Sequence, residues 1–277
     1  MTDQTVKFAI AGVAGRMGRE LAKSVLEARH SLTGGTERPD SPDRDIDIAV
    51  LAGRTAPLGL TPVSDAVNAA AGAHVFIDFT SPQATLSALA SLQHTTVRAV
   101  IIGTTGFSAA EEAQISAASS AFAIVKAGNF SLGVNLACAI TRIAARRLGT
   151  DWDVDVLETH HRRKVDAPSG TALMLGEAVA QGRGADLNAL RRAPYDGTDA
   201  ARSEGEIGFA VRRLGGVVGA HEVSFASERE VLSISHDALD RGVFADGALA
   251  AALWAVSQPP GLYNMDDVLG LRGLSAS

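Results

Sequence analysis

Few folds accept the run VKFAIAGVAGRMGRELAKSVLEA at residues 6–28. A short apolar, β-branched stretch ends in glycine, and the residues after it place Met17, Leu21, Val25 and Leu26 at helical spacing. The pattern then repeats. IDIAVLAG (46–53), HVFIDFT (74–80), RAVIIGTTG (98–106) and FAIVKAGNFS (122–131) read as buried strands, and residues 82–95 and 108–121 as helices. Ser108 followed three residues later by Glu111 has capping-box spacing. Strands that alternate with helices are parallel and joined by crossovers. The expectation is an α/β chain whose residues 1–130 form a Rossmann-type doubly wound parallel sheet. The polar, proline-bearing stretch between Gly34 and Asp45 reads as a surface loop.

The rhythm changes after residue 130. SLGVNLACAITRIAARRLG reads as one long helix, and DWDVDVLETHH (151–161) alternates apolar and acidic residues as a half-buried strand does. GEIGFAVRRL, VVGAHEVSFAS and REVLSISH are three more strands, whose short connections favour antiparallel pairing. A second α+β domain with a mixed, largely antiparallel sheet is therefore expected over residues 131–240. A helix at 241–258 then opens a C-terminal segment, 241–277, that completes the first domain.

GVAGRMG (12–18) stands where a strand ends and a helix begins. Glycine there lets backbone approach a pyrophosphate, and free N–H groups at the helix start favour its charge. The spacing is a variant of the usual dinucleotide fingerprint, and a tight strand–helix turn alone would also use it. Glu37 follows about 20 residues beyond Gly18, where an acid binds the ribose hydroxyls of NAD. Arg38 beside it suits the 2′-phosphate of NADP. One residue favours each cofactor, so NADPH or NADH is expected. GTTGF (103–107) and AGNFS (127–131) end later strands, on the side where such sheets bind ligands.

Charge focuses attention on a second place. The chain carries 25 Lys+Arg against 31 Asp+Glu, a net charge of −6, which argues against a nucleic-acid partner. Yet His160, His161, Arg162, Arg163 and Lys164 are consecutive. Lys164 offers a compact charge, and the histidines exchange protons near neutral pH. Neighbours at the end of a strand point to opposite faces, so His160 and His161 should do different jobs. Ser169 is an N-cap, after which Gly170 and Thr171 present N–H groups to a carboxylate. Asp166 is placed to orient Lys164 or close the loop, and Arg162 and Arg163 read as solvated. A small dianion is the ligand these groups suit. A metal site lacks a third ligand, and a Ser169 nucleophile lacks its G-x-S-x-G turn. The single cysteine, Cys138, forbids an intrachain disulfide and fits a reducing, cytoplasmic setting. No apolar run is long enough for a membrane span, and the first residues do not read as a secretory leader.

ETHHRRKVDAPSGTAL (158–173) resembles the signature of the dihydrodipicolinate reductases, which reduce 4-hydroxy-tetrahydrodipicolinate on the diaminopimelate route to lysine. AGVAGRMGRE (11–20), FIDFTSP with IIGTTGF (76–107), NFSLGVN (129–135) and GLYNMDDVLGL are similar in the same order. The resemblance implies that Gly12, Val13, Ala14, Gly15, Arg16 and Met17 bind the cofactor, with Glu37 and Arg38 at its adenosine end. It implies that Gly103, Thr104, Thr105, Ala127, Gly128, Asn129 and Phe130 lie near the nicotinamide. His160 and Lys164 match the proton donors or acceptors, and His161, Ser169, Gly170 and Thr171 match substrate-binding positions. It further implies a homotetramer joined through the sheets of the second domains. Ser81 stands where some relatives have arginine, and Lys126 where they are apolar.

Overall fold

The computed structural model describes residues 5–192, 194–198 and 200–272. The first four residues, on which part of the leader reading rests, lie outside the described residues. The chain divides into two compact units, Met1–Ser131 with Gly242–Val268, and Leu132–Arg241 with Leu269–Ser277.

In the first unit β1 (Lys7–Ile10), β2 (Ser31–Gly35), β3 (Val75–Asp78), β4 (Ala99–Ile102) and β5 (Ala123–Lys126) are joined by β10 (Gly261–Tyr263). They form one parallel sheet in the order β10-β5-β4-β3-β1-β2. The period of two sends alternate residues to opposite faces. Phe8, Ile10, Ile77, Ile101 and Val125 pack with α1 (Arg16–Glu27) and α9 (Gly242–Ala255). Ala9, Phe76, Val100, Ile102 and Ile124 pack with α4 (Pro82–Leu92) and α5 (Ala109–Ala118). Both faces are covered, which is why these strands read as continuous apolar runs. Ser108 and Glu111 form the anticipated capping box of α5.

One expected strand is a helix. Within IDIAVLAG, Ile48–Leu51 is the short α2. Asp47 decides this: its carboxylate accepts the Ala49 N–H at 2.9 Å and, across the following loop, those of Leu58, Gly59 and Leu60. The strand beside β1 is instead β2, so the polar loop begins only after Gly35. A further short helix, α3 (Ala66–Ala69), precedes β3.

In the second unit β6 (Asp153–His160) lies between β7 (Ile207–Arg213) and β8 (Gly219–Ala226), with β9 (Val231–Ala238) outside β8. β6–β8 and β8–β9 are antiparallel, but β7 runs parallel to β6 and does not pair with β8. The expected β7–β8 hairpin is therefore replaced by a crossover through α7 (Gly170–Gly182), the connection that parallel neighbours require. Val154, Val156, Phe209, Val223 and Phe225 face α7 and α6 (Leu132–Leu148). The same face of β6 carries Glu158 and His160.

Candidate active site

The dinucleotide half is built at the carboxyl end of β1. Gly12 has φ of 59°, and a Cβ there would stand 2.9 Å from Thr80 Cγ2. A Cβ on Gly18 would fall 2.2 Å from the Gly12 carbonyl oxygen. Both positions require glycine. The N–H groups of Arg16, Met17 and Gly18 open α1 without an acceptor among the described residues, and no acid stands in that first turn. Glu37 accepts the Ala14 N–H at 3.3 Å through one oxygen and the Arg38 N–H at 2.9 Å through the other. Its side chain is 11% exposed, whereas that of Arg38 is 78% exposed. Arg19 donates to Ala14 O at 2.7 Å and to Asp43 at 2.6 Å, tying loop to turn. The unpaired N–H groups at the start of α1, with an acid and an exposed cation 4.0 Å apart beside them, fit a dinucleotide.

At the ends of β3 and β4, Asp78 Oδ1 accepts from Thr80 N–H (2.9 Å), Thr80 Oγ1 (2.6 Å) and Thr104 Oγ1 (3.4 Å). Asp78 Oδ2 has no partner among the described residues, and burial pushes this carboxyl up despite the threonine bonds. Thr104 is thus committed to holding these strand ends, while Gly103 and Thr105 are more open. Val13 and Phe130 are buried, and the Val13 N–H is taken by the Thr36 carbonyl at 2.9 Å, so neither presents its side chain to a ligand. Asn129 accepts the Ser131 N–H at 2.8 Å, and Ala127 and Gly128 are accessible. Lys126 pairs with Glu112 at 2.7 Å above the Phe107 ring. Ser81 is the N-cap of α4 and makes no side-chain cap bond.

The second unit gathers the cationic motif at the end of β6. Glu158 is fully buried and accepts four hydrogen bonds. They come from Ser169 N–H (3.0 Å), Arg213 Nη1 (2.9 Å) and Nη2 (3.2 Å), and His160 Nδ1 (2.5 Å). Burial alone would raise Glu158, but Arg213, His160 and Ser169 together hold it below the usual glutamate range. Arg213 also donates to the carbonyls of Lys164 (3.3 Å) and Asp166 (2.6 Å), fixing the loop. Lys164 Nζ meets both Asp166 oxygens at 2.8 Å, and that hydrogen bond leads the lowering of the Asp166 pKa. Ser169 caps α7 by accepting the Ala172 N–H, and its hydroxyl also meets His221 Nε2 at 3.0 Å. Its hydroxyl is therefore committed within the protein. Gly170 N–H has no acceptor among the described residues, and Thr171 follows it in the first turn.

His160 and His161 do part company. His160 is buried against the Glu158 carboxylate, while His161 is half-buried and accepts from Arg241 at 3.4 Å. Burial, then the charges of Arg163, Arg241, His160 and Lys164, push His161 down. Arg162 and Arg163 are exposed. Glu158, Arg213, His221 and Arg241 were not singled out from sequence. A signal existed for Glu158, because strand alternation puts it on the buried face with Val154, Val156 and His160.

Burial, then the His160 charge, pushes His221 down to about 4, from an ordinary 6.5. Between these values the unfolded chain binds a proton that the native chain refuses, so stability falls as pH drops from about 6.5 to about 4. Denaturant titrations should show the wild type losing about 3 kcal/mol more than His221→Gln across that window. Equal losses in both proteins would mean that native His221 is protonated there.

Comparison with known proteins bears on both halves. Sequence models of dihydrodipicolinate reductase match residues 6–130 (N-terminus) and 133–269 (C-terminus). The 4-hydroxy-tetrahydrodipicolinate reductase of Parvibaculum lavamentivorans is 48% identical over 268 residues, 96% of this chain and 98% of its own. That of Sinorhizobium fredii is 48% identical over 279 residues, 98% of this chain and all of its own. Among solved structures, a dipicolinate-bound dihydrodipicolinate reductase from Paenisporosarcina sp. TG-14 superposes with a TM-score of 0.74 at 23% identity, covering 94% of this chain and 98% of that one. The shared fold is a parallel dinucleotide-type sheet with a second, mixed sheet. Matched over nearly its whole length by both models, the chain belongs to the dihydrodipicolinate reductase family.

Proposed function

We propose that this chain reduces 4-hydroxy-tetrahydrodipicolinate to tetrahydrodipicolinate with NADPH or NADH, in the biosynthesis of diaminopimelate and lysine. The relatives' names support the reaction. One observation carries the chemistry: the buried, fully paired Glu158 carboxylate takes the His160 ring and the Ser169 N–H at the start of α7, and the Arg213 that pairs with it also holds the Lys164 carbonyl. Overall a hydride and a proton are consumed and water is lost. The nicotinamide supplies the hydride when bound. The glycine turn of residues 12–17, with Glu37 and Arg38, holds the dinucleotide. Residues 103–105 and 127–130 border its nicotinamide end. The Gly170 and Thr171 N–H groups, with His161, hold a substrate carboxylate. His160 and Lys164 move the proton. A cytoplasmic homotetramer joined through the sheet of the second unit belongs to the same reading. Its support is the sheet face turned away from α6 and α7, where Leu157, Ala220, Glu222 and Ser235 border an open hollow of about 250 Å³.

The decisive assay follows loss of nicotinamide absorbance with substrate made fresh from pyruvate and aspartate semialdehyde. Substrate-dependent oxidation of either cofactor upholds the reading. Cofactor binding without turnover would point to a dinucleotide sensor or to a reductase of another dicarboxylate imine. The exposed Arg38 guanidinium beside Glu37 sets a further expectation. Arg38→Ala should weaken NADPH about tenfold or more, the worth of a charged hydrogen bond, and leave NADH nearly unchanged. Equal losses in titrations of the two cofactors would remove Arg38 from the 2′-phosphate.

A further inference from the structure

We infer that Glu158 is the positioning residue for His160, keeping a hydrogen on Nδ1 so that Nε2 is the nitrogen offered for proton transfer. An ionised carboxylate only accepts hydrogen bonds. Glu158 Oε2 lies 2.5 Å from His160 Nδ1, so that nitrogen must donate. The other contacts leave the carboxylate no freedom to turn away. Oε1 takes the Ser169 N–H and Arg213 Nη2, and Oε2 also takes Arg213 Nη1. His160 Nε2 has no hydrogen-bond partner among the described residues. The His221 ring stands edge-on to His160, with centroids 5.0 Å apart at 74°, and is itself tied to the Ser169 hydroxyl. The strand end, the α7 cap and Arg213 thus act together on one imidazole. Orientation of a ring by a carboxylate on its far nitrogen fixes which tautomer reaches the substrate.

Glu158→Gln is the discriminating change. The Ser169 N–H cannot turn, so the amide oxygen stays at the Oε1 place and the NH₂ group takes the Oε2 place. A donor then faces both Arg213 Nη1 and His160 Nδ1: the guanidinium keeps Nη2 on the amide oxygen and Nη1 on the Arg212 carbonyl, whereas His160 Nδ1 must become an acceptor, and its ring hydrogen moves to Nε2. Only the catalytic consequence rests on the proposed reduction, because the tautomer is read without substrate. The experiment is ¹⁵N spectroscopy of the full-length protein labelled at histidine, at about pH 9, above the ordinary histidine range. His160 is assigned by comparison with His160→Asn. The wild type should show hydrogen on Nδ1, and Glu158→Gln should show it on Nε2. The variant's kcat should fall about 100-fold, with KM for NADPH within about twofold of wild type.

Hydrogen on Nε2 in the wild type would overturn the inference, as would a variant kcat within about threefold of wild type. If the variant does not fold, the wild-type spectrum decides alone, Nδ1–H upholding the assignment and Nε2–H overturning it. A wild type with the expected tautomer but no turnover would defeat the reductase reading and leave the positioning role standing.

Discussion

Lys164→Ala should lower turnover at least about a hundredfold while leaving NADPH affinity nearly unchanged. Lys164 belongs to the second unit, in the loop that follows β6, and every proposed dinucleotide contact is in the first. Its side chain is only 20% exposed and its ammonium is held by both Asp166 oxygens, so its position is set before any ligand arrives. Hydride addition builds negative charge on the substrate, and a nearby ammonium stabilises that charge or supplies the proton. A positioned acid or base contributes about 10²–10⁴ in rate, which is the scale of loss expected. Steady-state kinetics with cofactor titration separates the two effects. Unchanged kcat would remove Lys164 from the chemistry, and a parallel loss of NADPH binding would make its role structural.

The second large effect concerns stability. Arg213→Ala should cost about 3–5 kcal/mol, because it strips two of four donors from a buried, charged Glu158. It also releases the Lys164 and Asp166 carbonyls from the same guanidinium. Against a typical total of about 5–15 kcal/mol, this is a large share. Arg213→Lys should fall between the two, because one ammonium cannot span both carboxylate oxygens and the carbonyls. Denaturant midpoints at neutral pH give the comparison. An Arg213→Ala midpoint close to wild type would mean that Glu158 takes up a proton once the guanidinium is gone.

Legibility from sequence followed the range of the interactions. β1, its glycine turn and α1 are local, and the strand-to-helix change of period at residues 6–28 announces them. The Ser108–Glu111 box and the Ser169 cap are likewise fixed within three residues. IDIAVLAG misled because a short apolar run does not distinguish strand from buried helix. Its outcome rests on Asp47 reaching N–H groups at Leu58–Leu60, beyond any local window. The β7 pairing misled for a similar reason, since a short link to β8 says nothing of the α7 crossover that puts β7 beside β6. In the candidate site the consecutive cations stood out as a block. Arg213, 55 residues from Glu158, and His221, 52 from Ser169, join it only through the sheet. Glu158 was in view throughout as the first letter of the motif. A charge on a buried face demands a partner from elsewhere, and here that partner is Arg213.

Glu37 and Arg38 are neighbours with unequal room to vary. Glu37 takes the Ala14 N–H, so any change there also disturbs the glycine turn after β1. Arg38 is largely in solvent, its guanidinium 4.0 Å from the Glu37 carboxylate. If the proposed roles of Glu37 and Arg38 hold, the preference between NADH and NADPH can therefore drift at position 38 over evolutionary time with the fold intact. Drift at position 37 would have to be accompanied by a repair of the turn.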